Sequence, residues 1–411
     1  MSSLFSQVWN TFVYLETWKL RFKFVLFFSY LIYEAHLFNI IHIPLAIRML
    51  WRYYFSPFIC RNIPYSCHED SSSRRVLDVY SSTSDDDERC LVKKPVVLFI
   101  HGGAWGHGEK WQYSLLAQFL MLHGCVCVIA TYRIYPLGDV SSQIVDVYES
   151  IVWTKENIEQ YGGDCKKILV FGHSAGAHLA MMALLSAGLH VFTKHLDVEG
   201  RTESALVAAF VASCGVYDIA QHYMYETWRG VAELSTMMKA MNGIEYFEMY
   251  SPLHVLREMQ LNQEIIPKHW FELATVDQTL NSINSPLEGD RIAAQCDPSL
   301  MKFRNESELK QRKFFPPVFI MSSGADSTVP FQGNLEFARE LIRNGLPCRV
   351  LLYDGVNHSD FVMDYMRQSD RDHRHKFVQS SYNQSLDNHP TQCAEVHPSH
   401  IRDFLRIVHS L

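Results

Sequence analysis

The 411-residue sequence lacks a surplus of basic residues. It holds 37 Lys and Arg against 44 Asp and Glu, which gives a formal net charge of −7 at pH 7. Domains that bind nucleic acid neutralise phosphates with clustered positive charge. We therefore expect no nucleic-acid partner. No internal repeat is visible either, so the chain does not have the signature of a repeat architecture.

The sequence also lacks a Cys-x-x-Cys pair, although it contains ten cysteines. Scattered cysteines of this kind are typical of reduced, mostly buried thiols in a domain that faces the cytosol. No spacing typical of a structural zinc site occurs, and the stretch from Asp370 to His375 is interpreted as a solvated loop. We expect no metal and no organic cofactor.

We expect that the N-terminal region is not a secretory signal peptide, because the apolar run at residues 22–47 is too long and no small-residue cleavage site follows it. The run exceeds the roughly 20 residues that cross a bilayer, but Glu34 within it would be costly at mid-span. Basic residues on both sides leave its orientation open. We expect residues 1–60 to form a membrane-associated segment, either a span or an in-plane anchor. The alternative is a hydrophobic helix packed on the domain.

From Val96 onward, short apolar strands alternate with helices. Strands are predicted at 75–80, 96–100, 125–132, 167–172, 205–214, 318–324 and 348–355, and helices at 111–123, 140–161, 175–187, 331–344 and 400–411. Apolar strands in such alternation predict an α/β fold, with a mainly parallel sheet flanked by helices. Residues 74–411 would form this one domain, with a cap insertion at about 221–313 and a polar insertion at about 364–398.

The strongest chemical signal is Gly172-His173-Ser174-Ala175-Gly176, which follows the strand KILVF and opens an Ala-rich helix. G-x-S-x-G at a strand-to-helix turn is the nucleophile elbow of serine hydrolases. The turn is so tight that neighbouring Cβ atoms would clash, so glycine stands on either side. The helix N-terminus then favours the oxyanion that forms beside Ser174. We predict that Ser174 is a nucleophile.

A nucleophilic serine needs a base, and the base needs a carboxylate that holds its tautomer. In this arrangement the chain order is serine, acid, histidine. Asp326 follows the strand VFIMSSG, and His358 follows the next strand. Both would lie at the same sheet edge as Ser174. Asp354 and Asp360 are competing acids, but they are too close in sequence to His358 to reach its far nitrogen. His190 and His195 are competing histidines in a helix-to-loop stretch.

The glycines of HGGAW, residues 101–105, suit the other requirement of acyl transfer, which is a set of N–H donors for the oxyanion. Ala175 would supply one donor, and the loop after the strand VVLFI would supply the others. Gly102 and Gly103 have no Cβ, so their N–H groups can approach a substrate closely. We expect His101 to brace this loop and Trp105 to wall the pocket.

Several motifs together resemble the hormone-sensitive-lipase-like branch of the α/β-hydrolases, and most of all the isoprenylcysteine α-carbonyl methylesterases. The motifs are HGGAW (101–105), YRIYPLG (132–138), YGGDCKKI (161–168), GHSAGAHLA (172–180) and GADSTVP (324–330). The resemblance covers roughly residues 95–255 and 316–362. It implies the α/β-hydrolase fold, and the oxyanion-hole and substrate-binding residues expected from it are Gly102, Gly103, Ala104, His173 and Ala175.

The resemblance also implies an activity and a location. Such enzymes hydrolyse the methyl ester on the prenylcysteine of lipidated proteins, at endoplasmic reticulum or Golgi membranes. The expected partners are therefore prenylated, methylated protein C-termini or a small ester, together with a membrane, and the catalytic domain would face the cytosol. Two alternatives stay open: a kynurenine-formamidase-like or broad carboxylesterase or deacetylase activity, and a non-enzymatic binding module of the same fold.

Overall fold

The computed structural model describes residues 18, 21, 22, 25, 47, 49–66, 74–82, 92–189, 206–261, 292–293, 315–369 and 398–411. The chain divides into two units, residues 1–55 and 56–411. In the first unit, residues 49–55 are helical and expose Trp51, Tyr54 and Phe55. The apolar run at residues 22–47 lies almost entirely outside the described residues. Within the described part of the chain, no helix combines the length and the apolar character that a membrane crossing requires.

The second unit is built on a nine-stranded sheet in the order β1-β2-β4-β3-β5-β6-β8-β9-β7. The strands are β1 (Ile59–Pro64), β2 (Val76–Tyr80), β3 (Lys94–Ile100), β4 (Val126–Ala130), β5 (Gly163–His173), β6 (Ala209–Ser213), β7 (Ile292–Ala293), β8 (Val318–Ser323) and β9 (Cys348–Tyr353). The run from β4 to β9 is parallel, and β1, β2 and β7 add antiparallel edges. The predicted mainly parallel sheet is confirmed, while the strands β1 and β7 were not predicted.

Helices follow the parallel strands, as the alternation predicts. They are α1 (Ser114–Leu122), α2 (Val140–Asn157), α3 (Ala175–Leu189), α4 (Ile219–Trp228), α5 (Met237–Ala240), α6 (Pro252–Leu261), α7 (Phe331–Arg343) and α8 (Ser399–His409). The Asp139 and Asp218 carboxylates accept backbone N–H bonds at the starts of α2 and α4, which fixes where these helices begin. Gly345 follows α7 with φ +68°, a conformation that glycine adopts without strain.

The central strands are apolar on both faces because both faces are covered. Successive residues Val97, Leu98 and Phe99 of β3 have no exposed surface. Leu98 belongs to a large hydrophobic cluster on one face. On the other face Phe99 packs against Phe171, with ring centroids 5.2 Å apart, and Phe171 packs against Phe404 of α8 at 4.6 Å. The period-2 alternation of a strand thus sends neighbouring side chains into two separate core layers.

The two expected insertions are described in part. Residues 219–261 of the first form α4, α5 and α6, and β7 pairs with the edge strand β9. Residues 262–291, 294–314 and 370–397 lie outside the described residues. The beginning of the second insertion is not irregular, since residues 360–369 are helical. Phe361, Val362, Tyr365 and Met366 are buried at helical spacing, and this burial holds the segment against the core.

Candidate active site

Ser174 lies on the tight turn between β5 and α3. Its φ of +53° is in the left-handed region, and its N–H donates to the carbonyl of Ser213 over 2.9 Å. A Cβ at Gly172 would lie 2.6 Å from Ala177 Cα, and one at Gly176 would lie 2.2 Å from the carbonyl oxygen of Ile100. Only glycine fits at these two positions, so the G-x-S-x-G spacing follows from packing. The turn presents Ser174 at the N-terminus of α3.

The close approach at Gly176 makes Gly176→Ala a direct test of this turn. The added methyl group would meet main-chain atoms of Ile100, which cannot move without breaking the sheet. We expect a loss of about 3 kcal/mol in the free energy of unfolding, measured by urea denaturation. Gly324→Ala is the matched control, because nothing lies within 4 Å of a Cβ at Gly324. Equal stability of the two variants would contradict this description of the turn.

Asp326 and His358 lie together at the carboxyl edge of the sheet, in the loops after β8 and β9. His358 Nδ1 donates to Asp326 Oδ2 over 2.7 Å. Asp326 Oδ1 accepts the backbone N–H groups of Thr328 and Val329 at 2.8 and 2.9 Å. Burial alone would raise the pKa of the Asp326 carboxyl. The hydrogen bond and charge of His358 and the backbone bonds outweigh burial and lower this pKa. The carboxylate is therefore ionised and holds the His358 tautomer.

The residue before Ser174 connects the nucleophile turn to His358. His173 Nε2 donates to the carbonyl of His358 over 2.9 Å, and the two rings lie 4.8 Å apart. Among the described residues, no hydrogen bond joins Ser174 Oγ to His358. Hydrogen bonds between a nucleophile and its base are often long until substrate binds. The structure thus brings the His358–Asp326 pair to the turn that carries Ser174 and fixes the backbone of the histidine there.

The competing candidates are not placed for the same role. The Asp360 carboxylate accepts from Asn357 and pairs with Arg367 at 3.0 Å. Asp354 is exposed. His190 and His195 lie outside the described residues. Among the carboxylates weighed from the sequence, Asp326 is the one bonded to His358.

The loop 101–105 lies directly against Ser174. A Cβ at Gly102 would lie 2.9 Å from Ser174 Cβ, and Gly103 has a φ of +129°. Within the described part of the chain, the backbone N–H groups of Gly102, Gly103 and Ala175 donate to no protein acceptor. These groups are available to an anionic oxygen beside Ser174. Ala104 continues the loop with a φ of +48°.

His101 braces this loop. It is buried, and its ring stacks on those of Tyr113 and Tyr132, at 5.8 and 4.5 Å. His101 Nδ1 donates to the carbonyl of Gly102 over 2.8 Å, and the Tyr132 hydroxyl donates to the carbonyl of His101 over 2.8 Å. The side chain and the main chain of His101 are both fixed, which keeps the glycines in place.

Trp105 ties the same loop to helix α3 and to the cap. Its indole N–H donates to His178 Nδ1 over 3.1 Å, and His178 Nε2 donates to the carbonyl of Tyr250 over 2.7 Å. The Thr236 hydroxyl, also from the cap, donates to the carbonyl of Ala104. Trp105 is only 2% exposed, so its contacts hold the loop. The pocket-wall role of Trp105 stays a prediction.

Four buried histidines surround the site, and burial keeps them neutral. Burial lowers the pKa of His101, His178 and His222 to about 4, and burial followed by the charge of His358 lowers that of His173 to about 3. Burial has the opposite effect on the pKa of Glu226, which it raises to about 7. These groups make the stability of the fold depend on pH.

Between pH 6.5 and about 4, the unfolded chain binds protons at these histidines that the folded chain does not. Stability is therefore present above pH 6.5 and is lost as the pH falls. Glu226 opposes this by one proton, because the folded state binds a proton there up to about pH 7. From these five groups we expect a net contribution of about three protons to the slope with which the free energy of unfolding falls, each proton worth about 1.4 kcal/mol per pH unit. His400, whose pKa burial also lowers, adds to the slope in the same direction. Urea titrations at several pH values measure the slope, and His222→Gln should reduce it by about one proton. If the free energy of unfolding increased as the pH was lowered from 6.5 to 5, these histidines would not be neutral in the folded state.

Cys214 is a residue near the site that sequence analysis missed. Its Sγ, an Asp326 oxygen and a His358 nitrogen lie within 4.8 Å of one another, and no other such group of metal-ligating atoms occurs in the described ranges. Asp326 and His358 bond to each other, and the thiol lies beside the Asp326 carboxylate. Two of the three groups are therefore already engaged as hydrogen-bond partners. Cys214 ends the apolar run ALVAAFVASC, and its position at the carboxyl end of a strand was the available signal.

A cavity of about 190 Å³ lies between the loop after β6 and the loop after Asp326. Its lining includes Val216, Tyr217, His222, Tyr225, Val329 and Pro330. The Tyr225 hydroxyl donates to the carbonyl of Ser327 over 2.8 Å, which joins α4 to the loop of the acid. Mostly apolar walls beside this loop suit an apolar group.

Comparisons with known proteins agree with the resemblance seen in the sequence. The model of the BD-FAE family matches residues 77–261. The chain is 27% identical over 329 residues to the isoprenylcysteine alpha-carbonyl methylesterase ICME of Arabidopsis thaliana, covering 79% of this chain and 62% of that protein. It is 38% identical over 126 residues to esterase LipC of Mycobacterium tuberculosis, covering 30% of each. The chain thus spans less than two thirds of the length of these curated relatives.

The fold is shared with a solved esterase. Esterase B of Lactobacillus rhamnosis superposes with a TM-score of 0.53 at 16% identity, over 85% of this chain and 96% of that one. At this identity the likeness concerns the fold alone. It confirms the α/β architecture that the alternation of strands and helices predicts.

Proposed function

We propose that this protein is a serine hydrolase that acts on carboxylic ester bonds. The observation that carries the proposal is the hydrogen bond between His358 and Asp326 beside Ser174. Ser174 lies on a tight turn whose flanking positions, Gly172 and Gly176, have no room for a Cβ. His358 takes the proton of the Ser174 hydroxyl as Oγ attacks the ester carbonyl. The N–H groups of Gly102, Gly103 and Ala175 donate to the oxyanion.

The second half of the reaction reuses the same groups. His358 returns its proton to the leaving alcohol as the tetrahedral intermediate collapses to an acyl-enzyme at Ser174 Oγ. Water then attacks the acyl carbon while His358 takes a proton from it, and the carboxylic acid leaves as Ser174 recovers its hydrogen. Every proton passes through His358 Nε2, because Nδ1 is bonded to Asp326.

For the substrate, we propose the methyl ester of a prenylcysteine at the C-terminus of a lipidated protein. The support is the similarity to the isoprenylcysteine alpha-carbonyl methylesterase of Arabidopsis, which is 27% identical over 79% of this chain. The mostly apolar cavity beside the Asp326 loop suits a substrate that carries a hydrocarbon chain. The similarity to esterase LipC favours a second candidate, a carboxylesterase of broader range.

Methanol release from a farnesylcysteine methyl ester separates these candidates. A short acetyl ester and N-formylkynurenine are assayed beside it, with wild type and Ser174→Ala. We expect kcat/KM for the farnesyl ester to exceed that for the short ester by about 100-fold or more, since burial of each CH₂ contributes about 0.8 kcal/mol. Cleavage of the short ester alone would support the broad carboxylesterase. Cleavage of N-formylkynurenine alone would support the formamidase, and no turnover of any of the three would support a binding module.

We also propose that the N-terminal unit associates with a membrane of the endoplasmic reticulum or Golgi, with the catalytic unit in the cytosol. The apolar run at residues 22–47 and the exposed Trp51, Tyr54 and Phe55 support this, because aromatic side chains favour the bilayer interface. Flotation of the full chain with phosphatidylcholine vesicles tests it. We expect wild type to float and Trp51→Ser/Phe55→Ser to float less. A wild-type protein that stays at the bottom of the gradient would contradict the proposal.

A further inference from the structure

Cys214 connects the turn of the nucleophile to the strand that leads to the acid. It directly follows β6, has no exposed surface and adopts a φ of +50°. Its N–H donates to the carbonyl of Met321 in β8 over 2.9 Å, and the carbonyl of its neighbour Ser213 accepts the N–H of Ser174. Residues 213–214 therefore fix the position of Ser174 relative to the strand that leads to Asp326.

The thiol of Cys214 lies beside the Asp326 carboxylate, with its Sγ within 4.8 Å of a carboxylate oxygen. Burial and then the negative charge of Asp326 raise the pKa of the Cys214 thiol well above its ordinary value. The sulfur therefore keeps its proton, and an S–H next to a carboxylate can only act as the donor. A thiol with this pKa is also a poor nucleophile, so covalent chemistry is not its role.

The other donors to Asp326 show what the thiol adds. Oδ1 takes two backbone N–H groups of its own loop, from Thr328 and Val329, and Oδ2 takes Nδ1 of His358. Like the His358 ring, the Cys214 thiol lies within 4.8 Å of this carboxylate. A donor at the end of β6 would tie the carboxylate to the part of the sheet that also holds Ser174.

We propose that Cys214 is a positioning residue of this hydrolase. Its S–H fixes the Asp326 carboxylate and withdraws part of the negative charge that the carboxylate directs at His358. The inference rests on the proposed ester hydrolysis. It predicts that removal of the donor has two effects: a lower maximal rate, and a base that holds its proton to a higher pH.

The neighbouring titratable groups do not account for such a change. His173, from the end of β5, and His222, from α4, are two further ionisable side chains that interact electrostatically with the His358–Asp326 pair. Burial first, and then the charge of His358, lower their pKa values to about 3 and about 4, so both stay neutral between pH 5 and 9. A shift within this range in a Cys214 variant reports on the Cys214–Asp326 contact.

The test compares Cys214→Ala, Cys214→Gly and Cys214→Ser in the full chain, with p-nitrophenyl acetate from pH 5 to 9. Ala and Gly both remove the donor, and Gly adopts the left-handed backbone without strain. Ser restores an O–H donor. For Ala and Gly we expect kcat to fall roughly three- to tenfold with KM unchanged, and the acid limb of kcat/KM to move up by roughly half a pH unit. Ser should stay within about twofold of wild type with the acid limb unmoved.

Thermal unfolding of each variant separates a loss of fold from a loss of positioning. The proposal is overturned if the folded Ala or Gly variant keeps the wild-type pH profile. It is also overturned if the Cys214→Ser variant has the wild-type Tm but does not have the wild-type pH profile of kcat/KM. Failure of the proposed function looks different, because wild type itself would then not hydrolyse the ester in a Ser174-dependent way.

Discussion

Ser174→Ala should lower kcat for ester hydrolysis by about 10⁴-fold or more, while the variant stays folded. In the proposed mechanism the hydroxyl oxygen forms the acyl-enzyme, and the groups that remain can offer only oxyanion binding and orientation. The small change in volume disturbs little, because Ala adopts the same turn and the backbone bond from residue 174 to Ser213 remains. Initial rates with the farnesyl and short esters, together with a thermal unfolding curve, measure both quantities.

Ser186→Ala is the matched control for this variant. Ser186 lies in the same helix, α3, and its hydroxyl donates to the carbonyl of Met182 over 2.7 Å. Its loss costs about 1 kcal/mol of stability and leaves the reaction intact. If Ser174→Ala retained more than a hundredth of the wild-type rate, the hydrolysis would proceed through another nucleophile or by direct attack of water.

Asp326→Asn should lower kcat by about 10³- to 10⁴-fold, for a reason that the geometry of the carboxylate makes specific. Asp326 Oδ1 accepts two backbone N–H groups, from Thr328 and Val329. In the Asn variant the amide oxygen must therefore occupy the position of Oδ1. The amide NH₂ then points at His358 Nδ1. It donates to that nitrogen, so the imidazole proton moves to Nε2. A protonated Nε2 cannot accept the proton of the Ser174 hydroxyl.

Asp360→Asn separates this effect from a general loss of charge near His358. Asp360 is two residues from His358 and bonds to Asn357 and Arg367 instead. We expect its kcat to stay within about twofold of wild type, because exposed ion pairs contribute little. Measurements of kcat at pH 8 for wild type, Asp326→Asn and Asp360→Asn distinguish the two explanations. A larger loss of kcat in Asp360→Asn than in Asp326→Asn would show that Asp326 is not the acid that supports His358.

The features that could be predicted from the sequence follow from local rules. The central strands are continuous apolar runs, and these occur where both faces of a sheet are covered. The elbow at Ser174 is identifiable because its glycines are required by contacts within a few residues of the turn and with the neighbouring strand β3. The bond between Asp326 and His358 follows from topology, since the ends of parallel neighbours meet at one edge.

The features that could not be predicted depend on contacts between distant parts of the chain. β1 carries polar residues such as Arg61 and Asn62, and it pairs with β2 through its backbone. The bond from His173 to the carbonyl of His358 joins residues 185 positions apart. Cys214 looks like the end of an apolar strand, and its contact with Asp326 depends on the pairing of β6 with β8. No local pattern records such pairings.

The most direct test of the account is reaction of the protein with a fluorophosphonate ester, followed by mass spectrometry of the peptides. The probe reacts with a serine hydroxyl that a neighbouring base has activated, and it does so without any assumption about the substrate. We predict one equivalent of phosphonate, located on Ser174, and a rate of labelling that falls at least 100-fold in His358→Ala. A phosphonate on another residue, or a labelling rate that does not depend on His358, would contradict the assignment of Ser174, His358 and Asp326 as the catalytic residues.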